Sequence, residues 1–308
     1  MEAITAAREK HTTLALGSKF GKYKPEAERE VRKVDVKEDE VLKQLKAAFV
    51  DFYHGSSQNI LPPPVLPLLP RSIGHAELLI KDVNYSAADV GRFSVALDEF
   101  QDMKDFGEVA GQFLSVLINT RREEQFIIYL GHLSVPISHL GYRNVGNIIV
   151  KDGYHAEIGE EMLGGAIIVE GGADIVGESM KGGCIEVNGG CGRVGQAMSG
   201  GSILINGNAW HVGRSMKRGT IVIEGSTSET GAYMEGGRIK VRGRAVIGGK
   251  RGYGRSPPSF KDGGIYLEGD FEFADFFYST NASIYHKGRL IAEKGKRLPQ
   301  MELLIVDK

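Results

Sequence analysis

The chain lacks most of what would mark it chemically. Only two cysteines, Cys184 and Cys191, occur in 308 residues, seven apart, with no CxxC pair and no clustered histidine. That excludes a disulfide framework and offers no zinc pattern, so both read as reduced packing residues. No run of about 18 apolar residues is available to span a bilayer. The N-terminal MEAITAAREKHTT is charged where a secretory signal needs an apolar run, so the expected location is the cytoplasm. Neither sign of charge is in excess: 38 Lys plus Arg stand against 39 Asp plus Glu, a net charge of -1. Such a balance gathers neither nucleic acid nor an acidic membrane surface. There is no GxSxG, and no cysteine has a histidine beside it to activate it. His75, His132, His139 and His155 are scattered without partners at ligand spacing, so no catalytic, cofactor or metal residue is expected.

What the chain has is glycine, 42 residues of it, nearly twice the usual share of about 7%. The excess is periodic, with a period of 18: AIIVEGGADIVGESMKGG (166 to 183), CIEVNGGCGRVGQAMSGG (184 to 201), SILINGNAWHVGRSMKRG (202 to 219) and TIVIEGSTSETGAYMEGG (220 to 237). Gly171, Gly189, Gly207 and Gly225 form one column, Gly177, Gly195, Gly213 and Gly231 a second, and Gly183, Gly201, Gly219 and Gly237 a third; Met180, Met198, Met216 and Met234 align beside them. Each unit carries a short β-branched run, a glycine, a second short strand ending near Val194 or Val212, and a glycine-rich corner. With about 3.3 Å per strand residue and sharp corners, one unit closes one turn of a parallel β-helix whose turns stack at roughly 4.8 Å. Residues two apart share a face, so Ile167, Ile185, Ile203, Ile221 and Ile239 point inward, as do Val169, Val187, Ile205, Ile223 and Val241. The methionines fill the lumen at a corner, and the glycines are expected at corners with positive φ.

The period disposes of two motifs. Gly190-Cys191-Gly192-Arg193-Val194-Gly195 matches G-x-G-x-x-G, but a dinucleotide site needs a helix after it, and the next coil begins at Ser202. Gly190, Gly192 and Gly195 are read as coil corners. Lys250 is out of register for a P-loop and is followed by Arg251 rather than Ser or Thr.

The pattern GG-x-I-x-V-x-G followed by G-x-x-M-x-GG resembles the GXGXG β-helix domain, which closes the large subunit of glutamate synthase. The same domain makes up most of the β-helical subunit of formylmethanofuran dehydrogenase and of the related formyltransferase/hydrolase complex. The resemblance covers residues 143 to 270. It implies a right-handed parallel β-helix that holds catalytic domains or subunits in register and carries no catalytic residue. The implied function is that of a non-catalytic structural subunit in a multi-subunit enzyme of one-carbon or nitrogen metabolism. Its partners would be other subunits, with self-association as a further possibility. The amidotransferase, flavin and iron-sulfur segments of glutamate synthase are not found here.

The expected fold is mainly β: a right-handed parallel β-helix of 18-residue coils, preceded by helices and a small α+β element. Residues 1 to 60 are read as a helical extension, with Val41, Leu45, Ala48 and Phe52 on one helix face. Residues 61 to 70, LPPPVLPLLP, are a stiff linker, and 71 to 142 the small element that caps the first coil. In it HAELLIKDV (75 to 83) reads as a strand, the stretch to Thr120 as a helix, and Gln125 to Leu130 as a strand. Residues 271 to 308 form a C-terminal cap.

Candidate contact residues lie in two places. Lys250, Arg251, Tyr253 and Arg255 belong to an insertion that lengthens one coil by nine residues, where a solenoid commonly places function. They would meet a protein patch or a small anion. Trp210 and His211 sit in the polar piece of their coil, where Trp210 either packs in the corner or anchors an interface. The outward column Ile168, Glu186, Leu204, Val222 and Lys240 is unusually apolar for a face that meets water, which suggests contact with the flanking elements, a second copy or another subunit. Two other readings stand beside the scaffold: a hydrolase or transferase with its site between the 71 to 142 element and the coils, and a self-associating module that binds an anion through the 250 to 255 loop.

Overall fold

The computed structural model describes residues 39–57, 73–121, 125–248, 259–274, 278–279, 282–293 and 296–297. The linker expected at 61 to 70 and the candidate residues Lys250, Arg251, Tyr253 and Arg255 lie outside the described residues.

Among the described residues, four α-helices precede the coils: α1 (Glu40–Ser57), α2 (Ile73–Ile80), α3 (Ala87–Ala96) and α4 (Phe106–Thr120). The apolar stripe read in the sequence is the buried face of α1, where Leu45, Ala48, Phe49 and Phe52 are inaccessible and Val41 is partly covered. Phe49 meets Phe93, Phe100 and Phe113 with ring centroids 5.1 to 5.8 Å apart, a spacing at which aromatic pairs attract edge to face. Residues 75 to 80, read as strand, are instead helical in α2. Ala76 and Ile80, four apart, turn into the cluster while Leu78 is left exposed, so the 3.6-residue period holds and the alternating one does not. Leu, Ala and Glu also favour a helix over a pleated strand.

The coils build two main sheets, with strands numbered in chain order. The first holds eleven: β1 (Gln125–Tyr129), β2 (Asn147–Lys151), β4 (Ala166–Val169), β6 (Cys184–Val187), β8 (Ser202–Ile205), β10 (Thr220–Ile223), β12 (Arg238–Val241), β15 (Gly264–Leu267), β18 (Ser283–His286), β19 (Arg289–Glu293) and β20 (Lys296–Arg297). The second holds seven: β3 (Tyr154–Ile158), β5 (Gly172–Val176), β7 (Cys191–Val194), β9 (Ala209–Val212), β11 (Thr227–Thr230), β13 (Ala245–Ile247) and β16 (Phe271–Phe273). β14 (Ser259–Phe260) and β17 (Tyr278–Ser279) pair separately. Every pairing from β1 to β18 in the first sheet is parallel; β19 and β20 then turn back antiparallel. The fold is a parallel β-solenoid.

Register follows the period. Ile185, Ile203, Ile221 and Ile239 are direct partners across successive rungs and are buried, as are Val187, Ile205, Ile223 and Val241. Each side chain so buried stabilises the coil by roughly 1.5–3 kcal/mol. The rung after Arg238 starts at its partner Gly264, a step of 26 residues (264 minus 238), so the insertion is eight residues long and not nine. The longer count follows from matching Gly237 to the second glycine of the GG pair, whereas Gly263 holds that place.

The glycine columns have three distinct causes. Gly177, Gly195 and Gly213 have φ of 64 to 67° and sit where a Cβ would strike an isoleucine Cδ1 of the coil after next at 2.4 to 2.5 Å. Gly183, Gly201, Gly219 and Gly237 also have positive φ, and their missing Cβ is the space taken by the Cε of Met162, Met180, Met198 and Met216 from the coil before. The methionine and glycine columns are one packing device. Gly171, Gly189, Gly207 and Gly225 do not have the positive φ expected of them; a Cβ there would lie 1.8 to 2.7 Å from a carbonyl oxygen of the preceding coil, so close approach alone requires glycine. Gly192 is likewise not a corner, but lies within β7 against Asp174.

Candidate functional site: an apolar stripe and two clusters

The outer face of the first sheet carries residues that are direct partners rung by rung: Ile127, Ile149, Ile168, Glu186, Leu204, Val222, Lys240, Tyr266 and Tyr285. Strand alternation places them outward because their neighbours at odd steps fill the lumen. Ile127 is exposed and Ile149, Ile168, Leu204 and Val222 are only half-buried, so the described flanking elements do not cover this face. One side of the stripe is a polar ladder, in which Asn206 donates to Asn188 (2.7 Å) and Arg242 pairs with Glu224 (2.6 Å). At the helical end the stripe runs into a groove of about 430 Å³ between α3 and β1, lined by Gly91, Val95, Ile127 and Tyr129. An apolar centre with a polar rim is the usual anatomy of a protein interface.

Trp210 projects from β9 and is 65% exposed, which rules out the corner-packing alternative. It and Tyr154, 57% exposed, bracket an open groove of about 690 Å³ that also has Asp174, Arg193, Asn208 and His211 on its walls. Gly172, Gly190 and Gly192 also line it and put no side chain into it. His211 lies beside Trp210, its Nε2 3.6 Å from Glu229. Cys191, one coil earlier, turns inward, and burial pushes its thiol up to about 12, so it is inert, whereas Cys184 is exposed.

A cluster not anticipated from the sequence lies where the helices meet the first coil. His139 Nδ1 is 2.7 Å from Glu160 Oε2 and 3.1 Å from Glu157 Oε2. The hydrogen bond to Glu160 raises the His139 pKa and outweighs its burial, while burial raises that of Glu157 despite the nearby imidazole. The signal was in the numbering: His139 and Glu157 are 18 residues apart, one coil, and their neighbours Leu140 and Ile158 are bridged. His155 is buried in the lumen with its ring nitrogen 3.1 Å from the Asp152 carbonyl, and burial lowers its pKa; His132 sits 3.0 Å from the Val95 carbonyl.

A pocket of about 240 Å³ lies between the helices and the first coils, with Gln112, Asn119, Tyr142 and Arg143 among its lining. Gln112 is buried and its Oε1 has no hydrogen-bond partner. No described helix is long and apolar enough to cross a membrane. The sequence matches no model of a known protein family and no curated protein.

Proposed function

We propose that the chain is a non-catalytic scaffold subunit that holds catalytic subunits of a larger enzyme in register through the outer face of its first sheet. The observation that carries this reading is the stripe from Ile127 to Val222, in register over consecutive rungs and left half-covered by the rest of the molecule. A rigid solenoid presents such a stripe without ordering cost, because its rungs are fixed by backbone ladders rather than by the partner. Trp210, exposed on the second sheet, supplies a second anchor of the residue type that dominates interface energies. The 18-residue coil with its coupled glycine and methionine columns supports a parent complex of the glutamate-synthase or formylmethanofuran-dehydrogenase and formyltransferase/hydrolase type.

The test is the composition of the particle purified from its source. Stoichiometric co-elution with catalytic subunits is expected. Leu204→Glu with Val222→Glu is expected to release them, weakening association at least about tenfold through the burial of unpaired charge, while the melting temperature stays within a few degrees. A monodisperse monomer with turnover of its own would sink the scaffold reading. One observation favours that alternative, a hydrolase or transferase with its site between the helices and the coils: the pocket at Gln112 and Arg143 lies in that place.

A further inference from the structure

We infer that His139, Glu157 and Glu160 form a binding site for a single divalent transition-metal ion of the series from Mn2+ to Zn2+. The site is independent of the scaffold reading. One donor atom from each residue lies within 4.8 Å of the others. A metal about 2.1 Å from each of several tetrahedral donors separates those donors by roughly 3 to 3.5 Å, so contacts of 2.7 and 3.1 Å need only small side-chain rotations to admit an ion.

The donor set distinguishes the cluster from an ordinary group of surface acids. An imidazole nitrogen facing two carboxylates suits the harder and borderline transition ions, whereas Ca2+ takes six to eight oxygens and Mg2+ retains most of its water. The charge is also unbalanced. Glu178 acts on Glu157, and Glu108 acts from α4 on His139, while the cation besides His139 that acts on Glu157 is Arg193. A neutral imidazole with a divalent ion offsets this excess of carboxylates better than one imidazolium does.

The backbone around all three donors is fixed before any ion arrives. The Gly159 N–H donates to Leu140 O (2.9 Å), the Arg143 N–H to Glu160 O (3.0 Å), and the Ala156 N–H to Ile137 O (2.9 Å). From α4, Ser115 Oγ accepts from the Gly141 N–H (2.9 Å) and lies 2.8 Å from the His139 carbonyl. The side chains are 25 to 32% exposed, so positions not filled by protein open to solvent. Three protein donors with an open position is the arrangement of a site that keeps a bound water.

The test uses the full chain without a tag and with Cys184→Ser, which removes the exposed thiol as a competing ligand. It is titrated with Co2+ and Zn2+ by calorimetry, and with Co2+ by visible absorption. One saturable equivalent is expected, with ligand-field bands of a nitrogen and oxygen donor set. His139→Ala and the near-isosteric Glu157→Gln, each in that background, are expected to weaken binding roughly tenfold or more. Melting curves on the same samples establish that each variant is folded; should His139→Ala fail, the parent titration and Glu157→Gln decide. Lack of saturable binding to the parent, or undiminished binding by the folded variants, overturns the site and leaves His139 as an ion-pair partner only.

Discussion

At the scale of single residues, the solenoid distinguishes two left-handed positions that the period alone renders alike. Gly195 (φ 64°) and Ala197 (φ 55°) are two apart in the same corner, yet one must be glycine and the other is not. A Cβ at Gly195 would lie 2.4 Å from Ile221 Cδ1, while the Ala197 N–H is held by the Arg214 carbonyl of the next coil at 2.8 Å. Gly195→Ala is therefore expected to cost about 2–4 kcal/mol, roughly 1 for the backbone conformation and 1–3 for overpacking. Ala197→Gly removes a similar conformational cost but loosens the unfolded chain, for a net change under about 1 kcal/mol. Chemical denaturation of both variants checks the contrast, and equal destabilisation would refute the packing account. The glycine columns were legible in the sequence because they repeat, but their separate causes were not, since spacing carries no information on whether φ or a neighbour's atom excludes the Cβ. The His139 cluster was missed for the opposite reason: its period was present, but the turn that carries His139 has Asn144 where the later coils have a methionine, so that column does not mark it although Gly141 keeps its glycine.

At the scale of elements, the helices cap the first rung, and one of them has a fully formed start signal. Ser86 and Asp89 form a capping box on α3: the Ser86 N–H donates to Asp89 Oδ2 (2.8 Å) and Ser86 Oγ accepts from the Asp89 N–H (3.4 Å). Arg92 pairs with the same carboxylate. Burial pushes the Asp89 pKa up, but the hydrogen bonds from Ser86 and the Arg92 charge together outweigh it, so the net shift is downward. A carboxylate depressed in the folded state contributes stability that is present above its unfolded pKa and is lost as pH falls through its folded pKa. Ser86→Ala is expected to lose about 1 kcal/mol at neutral pH. Asp89→Asn should lose a similar amount there, with the gap from the parent closing below the ordinary carboxylate range. Denaturant midpoints at neutral and acid pH measure both, and a gap that persists in acid contradicts the assignment. The α1 stripe and the α4 helix were readable from apolar spacing. α2 was not, because eight residues with an apolar mean carry too little periodicity to separate helix from strand.

At the scale of the whole molecule, the solenoid has two ends, and a parallel sheet left open at either exposes unpaired backbone groups that invite association. The C-terminal end is turned by the antiparallel hairpin of β18 and β19. The N-terminal end is covered by α3, whose Ser94 Oγ accepts from the Tyr129 N–H (2.9 Å) and whose Gly91 would place a Cβ 3.0 Å from the Ile127 carbonyl. What seats the helices on the coils is α4. Gly107 and Gly111 lie one helical turn apart, and a Cβ on them would stand 2.3 Å from the Pro136 carbonyl oxygen and 1.8 Å from that of Ser138. These are backbone atoms of the segment leading into the first coil, so neither side can yield by a rotamer change. Gly111→Ala must lift α4, and with it α3, which is joined to α4 through Phe93 and Phe113 at 5.6 Å. The expected result is a loss of roughly 1–3 kcal/mol, seen as a lower denaturant midpoint. Concentration-dependent association in sedimentation should accompany it as the β1 edge is uncovered. Retention of both the parent midpoint and the parent sedimentation would show that the helices are not held on the coils by this close approach.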